Sequence, residues 1–382
     1  MTANAERLRI GLNALLYSEA RSYRAAGVSH YIGGLLNSLP QVDPDADYTA
    51  FTEPGISQYP GWQYLPQPGA VGHPIRRILW EQFAQPAAIR KAHLDLVHAP
   101  VYAAPLGSRC PFVVTLHDMV PFVYPEMLRP AKRAYLRRIV ALSARRSAAV
   151  ICISESTRRD VLRILGISPD KVHVVPVGVE PAMKPLPRAE VDAFRVKRGL
   201  PEEYLLYVGT LEPRKNIPLL LRAYYVLLQA GRALPPLLVG GGKGWYYSAI
   251  EELISDLALG DHVRLVGYIP QEELALWYNG AKVFIFPSLY EGFGIPPLEA
   301  MACGVPVITS NTSALPEVVE DAGMMVDAHS PDELAVALDH VLRDPQLHRS
   351  MAQRGLERAA HFSWEQSARQ TAAVYRAALD AR

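Results

Sequence analysis

One stretch of this sequence, from a short apolar run into a loop rich in glycine and proline, constrains the fold most. The run 282–286 is apolar and largely β-branched or aromatic, which predicts a buried strand. Gly292 and Gly294 then disfavour a helix, whereas Pro296 and Pro297 suit the first turn of one. A strand, a tight loop and a helix in this order predict one unit of a parallel α/β sheet.

Two glutamates flank this loop. Glu291 lies inside it, and Glu299 falls one turn into the predicted helix. Loops at the carboxyl ends of parallel strands line ligand crevices, and the amides of residues 292–295 are expected to face a phosphate or sugar hydroxyls. The alternative is a surface loop with two solvated acids. The glycines and prolines packed between the acids restrict the backbone more than a linker needs, which favours a ligand-binding loop.

Two separate series of short apolar runs alternate with helical segments, and each series predicts its own parallel sheet. A chain of 382 residues with 49% hydrophobic content is long enough for two domains with separate cores. Between the series, the stretch 176–187 contains four prolines and is the expected linker. We therefore predict one domain over residues 1–180 and a second over residues 181–363.

Charge and cysteine content limit the compartment and the partners. The three cysteines have no metal-ligand spacing, which predicts reduced thiols and a cytoplasmic protein, and no signal peptide or membrane helix is expected. Residues 1–182 carry 20 basic and 14 acidic side chains, whereas the remainder carries 19 and 24. The basic half suits an anionic partner or membrane surface, although solvated faces would produce the same imbalance.

A basic amphipathic helix is predicted over residues 129–146, because apolar residues are interleaved with seven cations and no acid occurs. Such a helix either lies on the inner face of an anionic membrane or simply packs its apolar stripe on the sheet. Tyr135 is the only aromatic residue in the stretch, and the formal net charge of the chain is only +1, so nucleic-acid binding is not expected.

Two loops of the amino-terminal half carry weaker signals. Gly27 precedes a helical segment and suits a close approach to phosphate, but glycines near helix starts are common. His117 and Asp118 follow the predicted strand 111–116, where a parallel sheet opens, although a histidine beside an aspartate is often structural.

Between a predicted strand and helix of the second series, the segment Gly209 to Asn216 places Arg214 and Lys215 side by side. An arginine that bonds bidentately and a lysine that acts as a mobile charge suit a diphosphate. A solvated cation pair is the alternative, but the matching loop with Glu291 favours a site. Asn216 is expected to cap the following helix. Without a clustered His/Cys ligand set, no metal or other cofactor is expected.

The chain resembles the retaining glycosyltransferases of family 4. The features that carry this resemblance are the E-x7-E spacing of Glu291 and Glu299 and the segment 209–216, with weaker matches at His117 and Gly27. The resemblance implies the GT-B fold, in which two Rossmann-like domains face each other across a deep cleft. It also implies that the last helix, about residues 364–382, crosses back to the amino-terminal domain.

By this resemblance, a nucleotide diphosphate sugar binds the second domain without a metal, and the acceptor binds the first. Arg214 and Lys215 would contact the diphosphate, Glu299 the ribose, and the backbone at 266–270 the base. The sugar would contact Glu291 and the backbone of Phe293, Gly294 and Ile295. Gly209 would lie beside these residues in the donor site. His117 would reach the reacting centre and Gly27 the phosphate, although Ala26 replaces a glycine that the family often has there.

The stretches 115–119 and 207–216 resemble those of mannosyltransferases of polysaccharide assembly, which implies GDP-mannose as donor and a saccharide or lipid-linked saccharide as acceptor. A UDP-sugar donor stays open. Two other classes are weaker alternatives: a sugar-nucleotide epimerase, and a non-catalytic subunit that binds sugar nucleotides.

Overall fold

The structure is a computed structural model that describes residues 7–18, 26–67, 74–242 and 247–381. It divides into two compact units, one comprising Met1–Gly178 with Ser363–Arg382 and the other Val179–Phe362. Each unit is built on one parallel sheet. The unit boundaries fall after Gly178 and Phe362, whereas the sequence predicts them after residues 180 and 363.

The first unit contains a seven-stranded sheet whose middle strands are buried along most of their length. Its strands are β1 (Leu8–Asn13), β2 (Ala46–Thr52), β3 (Trp62–Pro66), β4 (Leu96–Ala99), β5 (Phe112–Leu116), β6 (Ala149–Cys152) and β7 (Val172–Val174). They lie in the order β3-β2-β1-β4-β5-β6-β7, and every pairing is parallel. Short β-branched runs without polar alternation form these strands because helices cover both faces of such a sheet.

Among the described residues of the first unit, six helices precede the linker. They are α1 (Ala26–Val42), α2 (Pro74–Leu79), α3 (Gln85–Lys91), α4 (Val120–Val123), α5 (Pro130–Arg146) and α6 (Glu155–Leu165). A π-helical turn, Trp80–Ala84, joins α2 to α3. The predicted basic helix is α5, and its Ile139, Val140 and Ala144 are buried. Short 3-10 turns lie at Pro125–Met127 and Pro169–Lys171.

The second unit contains a six-stranded sheet in the order β10-β9-β8-β11-β12-β13. Its strands are β8 (Leu205–Val208), β9 (Leu237–Gly240), β10 (Val263–Gly267), β11 (Val283–Phe286), β12 (Val307–Ser310) and β13 (Met324–Val326). The strand order runs backwards from β10 to β8 and then jumps to β11. This jump is a topological switch point, the place at which open parallel α/β sheets bind their ligands.

The described part of the second unit, which omits residues 243–246, contains eight helices. They are α7 (Arg188–Arg198), α8 (Ile217–Gln229), α9 (Tyr247–Asp256), α10 (Gln271–Gly280), α11 (Ile295–Ala302), α12 (Leu315–Val319), α13 (Pro331–Arg343) and α14 (Pro345–Ala359). Two 3-10 turns lie at Pro213–Lys215 and Glu320–Ala322.

The last helix, α15 (Trp364–Asp380), belongs to the first unit, as the resemblance implies. The side chain of Ser363 accepts a hydrogen bond from the amide of Gln366 and so caps this helix. The helix packs closely on α1 because Gly34 lacks a side chain there: a Cβ would lie 2.2 Å from the Trp364 ring. The Tyr375 hydroxyl lies 2.7 Å from Nδ1 of His98, which is fully buried on β4.

Candidate active site

The candidate site lies at the switch point of the second unit. Strands β8 and β11 pair in parallel there, with Leu205 opposite Val283. The loops 209–216 and 287–294 therefore leave the same edge of the sheet side by side. The amide of Leu289 donates a 2.7 Å hydrogen bond to the carbonyl of Arg214, which ties the two loops together.

Glu291 bridges both predicted cations. Its Oε1 lies 2.6 Å from Nζ of Lys215, and its Oε2 lies 2.9 Å from Nη1 of Arg214. Ser288 Oγ approaches the same Oε1 at 2.6 Å, and the Glu291 amide donates to Ser313 Oγ at 2.8 Å. A carboxylate with this many charge-assisted partners is held in one orientation.

The charge of Glu291 persists although the residue is only 8% exposed. Burial by itself would raise the pKa of this carboxyl, but Arg214, Lys215 and the Ser288 hydrogen bond outweigh burial and hold the pKa at about 2. Glu291 is therefore ionised at every physiological pH and is unsuited to donating a proton.

The mobile ammonium expected at Lys215 is not observed. Lys215 is 7% exposed, and its Nζ lies 4.9 Å from the centre of the Phe286 ring as well as against Glu291. Arg214 is the more exposed of the two cations and also pairs with Glu212 Oε1 at 2.7 Å. Two acids thus balance two bases, and the cluster carries no net charge.

The loop between the two glutamates is packed rather than spread over the surface. Glu291 to Gly294 are buried, and Phe293 packs edge-on against Phe362 with ring centres 5.6 Å apart. Gly294 has a φ of 124°, and a Cβ there would lie 2.9 Å from Leu315, so a larger residue would strain the turn into α11. The amides of 292–294 are therefore less open than the sequence predicts, and Ile295 is half-buried.

Glu299 has a different environment. It is 4% exposed on α11 and accepts a 3.0 Å hydrogen bond from the hydroxyl of Tyr278 on α10. Burial raises the pKa of Glu299 to about 8, the tyrosine hydroxyl opposes that rise, and the charge of Glu180 adds to it. The two glutamates of the E-x7-E spacing thus have pKa values displaced in opposite directions.

The remaining predicted donor contacts lie at neighbouring strand ends. Gly209 follows β8, where a Cβ would lie 2.7 Å from the hydroxyl of the buried Tyr207, so a larger residue would displace that ring. Residues 266–270 span the carboxyl end of β10 and the segment after it, where Tyr268 is 39% exposed. Asn216 does not cap α8: it adopts a left-handed conformation with φ of 55°, and its Nδ2 donates to the carbonyl of Ala328 at 2.7 Å.

In the first unit, His117 follows β5 as predicted. Its Nε2 donates a 2.7 Å hydrogen bond to the carbonyl of Pro100, and the Tyr31 ring lies edge-on at 4.9 Å. Burial lowers the pKa of His117, although the Pro100 hydrogen bond and Asp118 oppose this effect, so the ring is neutral at pH 7. Asp118 itself accepts a 2.6 Å hydrogen bond from the Tyr102 hydroxyl.

Gly27 lies in the first turn of α1 and is exposed. No atom of the described residues would come within 4 Å of a Cβ at this position, so packing within the chain does not require glycine there. The structure brings together Arg214, Lys215 and Glu291 in the second unit, and it places His117 and Gly27 in the first unit.

Within the described ranges, no group of three or more His, Cys, Asp or Glu side chains has the geometry of a metal site. One Asp-x-Asp run does occur, at Asp43, Asp45 and Asp47, a motif that can hold a metal-bridged diphosphate. Asp43 is paired with Arg376 and bonded by the Tyr48 hydroxyl, and Asp47 lies 3.0 Å from Arg7. No helix in the described part of the chain is long and apolar enough to cross a membrane.

Sequence reasoning missed several residues that shape the site: Ser288, Ser313 and Tyr278. Ser288 and Ser313 have no recognisable spacing, because they reach Glu291 through the fold rather than through sequence periodicity. Tyr278 carried a usable signal, since it lies on the buried face of a predicted helix and a buried tyrosine hydroxyl needs a partner.

Comparison with known proteins identifies the family. Residues 190–358 match the family model described as glycosyl transferases group 1, and residues 20–182 match the model described as glycosyltransferase family 4. A relative from Escherichia coli, O-antigen chain mannosyltransferase B, is 32% identical over 89% of this chain and 88% of its own length. The chain belongs to glycosyltransferase family 4. It is therefore a glycosyltransferase, as predicted.

A second relative of this glycosyltransferase is the D-inositol 3-phosphate glycosyltransferase of Nocardioides sp., 31% identical over 81% of this chain and 72% of that protein. Among solved structures, sucrose-phosphate synthase from Thermosynechococcus elongatus superposes with a TM-score of 0.78 and 25% identity, covering 98% of this chain and 100% of that one. The predicted GT-B fold class, with its two parallel-sheet α/β domains, is confirmed.

Proposed function

We propose that this glycosyltransferase moves mannose from GDP-mannose to a saccharide or lipid-linked saccharide in polysaccharide biosynthesis, with retained anomeric configuration and without a metal. The observation that carries the donor assignment is the similarity to O-antigen chain mannosyltransferase B, which extends over 89% of this chain. The geometry at the switch point of the second unit supports a nucleotide sugar as the donor.

Arg214 is the group that meets the diphosphate in this proposal, because it is the more exposed cation and already lies at the strand ends. When a diphosphate takes over Arg214, Oε2 of Glu291 loses its partner and becomes available to a hydroxyl of the sugar. Lys215 keeps Oε1 of Glu291 in place throughout. Lys215 then acts by holding Glu291, and Glu299 accepts the ribose hydroxyls beside the Tyr278 hydroxyl.

In the transfer step, the bond between the anomeric carbon and the phosphate oxygen breaks, and its electron pair leaves with the diphosphate. Arg214 stabilises the negative charge that develops there, which is where a preorganised cation has most effect. The acceptor hydroxyl bonds to the anomeric carbon from the same face and passes its proton to the departing phosphate. Glu291 needs no nucleophilic role, and the neutral His117 borders the reacting sugar.

Three alternatives differ from this proposal in the donor or in the reaction. A UDP-sugar would use the same diphosphate contacts, and the base contact near Tyr268 would decide between guanine and uracil. An epimerase or a non-catalytic subunit would also bind a sugar nucleotide, but neither needs an acceptor site. The D-inositol 3-phosphate glycosyltransferase among the relatives leaves the acceptor class open within the family.

A thermal-shift panel of GDP, UDP, ADP and their sugars tests the donor, since a ligand that binds only the folded state raises the melting temperature. We expect the largest shift with GDP and GDP-mannose, unchanged by EDTA. A larger shift with UDP would show that the donor is a UDP-sugar. Loss of binding in EDTA would show that donor binding requires a metal.

Incubation with labelled donor and no acceptor then tests catalysis. Slow release of the free sugar in the α configuration supports a retaining transferase. Release of the β sugar contradicts retention. Conversion to an epimeric sugar nucleotide, or binding without any turnover even when acceptors are supplied, would identify one of the two non-transferase alternatives.

A further inference from the structure

The sheet of the first unit has a switch point of its own, between β1 and β4. From β1 the chain moves outward to β2 and β3, and it then returns to β4 on the other side of β1, where Leu12 lies opposite His98. Open parallel sheets bind ligands beyond the carboxyl ends of their strands at such a point. The last residue of β1 is Asn13, which is buried, so its side-chain amide belongs to the edge where a ligand is expected.

The π-helical turn Trp80–Ala84 is fixed to both sides of this switch point. On the β1 side, Nδ2 of Asn13 donates a 3.3 Å hydrogen bond to Oε1 of Glu81. On the β4 side, Nε2 of Gln82 donates a 2.9 Å hydrogen bond to the carbonyl of Ala104, in the segment that follows the strand. Turns of this kind are rare within α-helices and occur frequently at functional sites. The turn therefore carries Glu81 to the switch point.

Glu81 is a buried carboxylate with weak partners. It is 5% exposed, and its contacts with Asn13 Nδ2 at 3.3 Å and Arg77 Nε at 3.7 Å both fall on Oε1. Glu291 in the second unit, by contrast, has three partners within 2.9 Å. Burial raises the pKa of Glu81, and Arg77 and the Asn13 hydrogen bond oppose that rise. A carboxylate in this state is stabilised by a further donor at Oε2.

Gln85 lies one helical turn after Glu81, at the start of α3, and its side chain is fully buried. Within the described ranges, neither its Oε1 nor its Nε2 has a hydrogen-bond partner. Nε of Arg77 is buried and likewise makes no hydrogen bond to the part of the chain that the structure describes. Buried polar atoms without partners lower the stability of a fold, so folded chains keep them where a ligand or water completes the bonds. We name Asn13, Arg77, Glu81 and Gln85 the π-turn cluster.

The hydrogen-bonding groups of the π-turn cluster suit hydroxyls. The Glu81 carboxylate accepts hydrogen bonds, the Arg77 guanidinium donates them, and the Gln85 amide does both, as a sugar hydroxyl also does. Tyr135 of α5 lies close enough to Glu81 and Arg77 for both charges to act on its hydroxyl. Its half-buried ring adds an apolar surface with a polar tip beside the cluster.

The charge of the π-turn cluster selects against phosphate. Glu81 and Arg77 are an acid and a base 3.7 Å apart, so together they carry no net charge. A phosphate bound here would lie against the Glu81 carboxylate, and like charges in contact weaken binding strongly. One carboxylate among four side chains is also a poor site for a hard cation, which needs several oxygen ligands. The ligand that fits is uncharged and rich in hydroxyls.

We propose that the π-turn cluster is the subsite that binds the acceptor sugar, and that the sugar bound there carries no phosphate. Oε2 of Glu81 accepts a hydrogen bond from one sugar hydroxyl, and the amide of Gln85 bonds a second. This subsite rests on the proposed function, since only a transferase needs an acceptor. The family resemblance assigns the acceptor to the first domain and leaves open both its charge and the residues that hold it.

Transfer to matched pairs of acceptors tests the charge class. The full-length protein is given the sugar nucleotide that stabilises it most, with methyl α-mannoside or its 6-phosphate, and with inositol or its 3-phosphate. We expect kcat/KM to be at least about tenfold higher for the uncharged member of a pair, because Glu81 repels the phosphate. Equal or faster transfer to the phosphorylated members would overturn the proposal. Donor hydrolysis without binding of either uncharged compound in saturation-transfer NMR would overturn it as well.

Two variants of similar size test the residues. Glu81→Gln removes the charge and Gln85→Met removes the amide, and each should raise the acceptor KM by about tenfold, because a hydrogen bond to the acceptor is lost. Glu81→Gln should also narrow the preference for the uncharged member of each pair, since the repelling charge is gone. Hydrolysis of the donor without acceptor, and the rise in melting temperature with the donor nucleotide, should both match the wild type.

Glu365→Gln and Gln366→Met provide matched controls, because they make the same two chemical changes on α15, where both side chains are exposed. They should keep the wild-type acceptor KM and preference. If the Glu81 and Gln85 variants keep them too while the wild type hydrolyses donor, the cluster has only a structural role, and the acceptor subsite is overturned although the proposed function stands. If the wild type neither binds nor hydrolyses any sugar nucleotide, the proposed function fails and the acceptor subsite fails with it.

Discussion

Lys215 Nζ lies 2.6 Å from Glu291 Oε1, and this contact joins two loops separated by 76 residues in sequence. The pair forms because β8 and β11 are neighbours in the sheet. It makes Lys215 a holder of the carboxylate rather than a free cation, and it leaves Arg214 as the more accessible positive charge of the cluster.

Arg214→Ala is expected to lower kcat/KM by about 100-fold or more, since it removes the cation that stabilises the leaving diphosphate. Acceptor affinity should change little, because Arg214 lies in the second unit, to which the proposed function assigns the donor. Steady-state kinetics with both substrates varied measures the two effects. Arg222→Ala, an exposed arginine on α8, is the matched control. Unchanged turnover in Arg214→Ala would contradict the diphosphate assignment.

Glu291→Gln should destabilise the protein by about 3 kcal/mol at pH 7, because the buried Lys215 loses its counter-ion and the half-buried Arg214 keeps only Glu212 of its two acidic partners. The pKa of Glu291 is depressed from an ordinary 4.5 to about 2. The stability that depends on its charge is therefore complete above pH 4.5 and is lost as the pH falls through 2. Urea denaturation from pH 7 to pH 2 should show the variant and the wild type converging. A constant difference across that range would contradict the paired, ionised carboxylate.

Glu299→Gln should reveal the opposite dependence of stability on pH. The pKa of Glu299 is raised from 4.5 to about 8 by burial, so the folded protein keeps a proton that the unfolded chain releases between these values. The free energy of unfolding should fall as the pH rises through this window, and the glutamine variant should lack that fall. Urea denaturation between pH 5 and pH 8.5 measures the slope, with the exposed Glu251→Gln as control. Equal slopes in Glu299→Gln and the wild type would argue against a buried protonated acid.

His117→Ala is expected to reduce turnover about 100-fold if its neutral ring borders the reacting sugar. Because burial lowers the pKa of His117 below 6.5, the wild-type enzyme should keep its kcat/KM as the pH falls from 7 to 6.5. A pH series of kcat/KM checks both points, and the exposed His329→Ala serves as control. An acid limb above pH 6.5 that disappears in His117→Ala would show that the ring titrates at its ordinary value.

Tyr375→Phe should cost about 1–3 kcal/mol of unfolding free energy, because Nδ1 of the buried His98 loses its partner. The other ring nitrogen keeps its 2.7 Å contact with Thr115 Oγ1. Tyr225→Phe in the second unit gives the comparison for a half-buried hydroxyl. Thermal unfolding measures both variants, and equal melting temperatures would mean that this contact does not stabilise the docked C-terminal helix.

Much of the fold follows from local pattern. Each buried strand is a short β-branched or aromatic run, as in Val283–Phe286, and a parallel sheet requires such runs. Strand order does not follow from such runs, since nothing local in Leu205–Val208 indicates that it pairs with a segment some 80 residues later. The docking of α15 on the first unit came from the family resemblance and not from periodicity.

The site was predictable in residue type but not in arrangement. Glycine and proline around Glu291 indicate a constrained loop, and Arg214 with Lys215 indicates a cationic strand end. That Glu291 neutralises both cations depends on the neighbouring strands, and the burial of Lys215 depends on Phe286. Ser288 and Ser313 carried no sequence signal, because serines are common in loops and only the folded loop brings them to the carboxylate.

The position of α15 has a consequence for biosynthesis. The amide of Val179 donates a 2.9 Å hydrogen bond to the carbonyl of Phe362, so the second unit begins and ends at one place and is an insertion into the first. A ribosome must finish all of the inserted unit before it makes Trp364–Asp380. Until α15 has been synthesised, the surface around His98 on β4, which Tyr375 contacts, is not covered by this helix. The first unit to be translated is therefore completed only after the inserted one, and termination before Trp364 would leave the earlier-made unit, rather than the inserted one, unfinished.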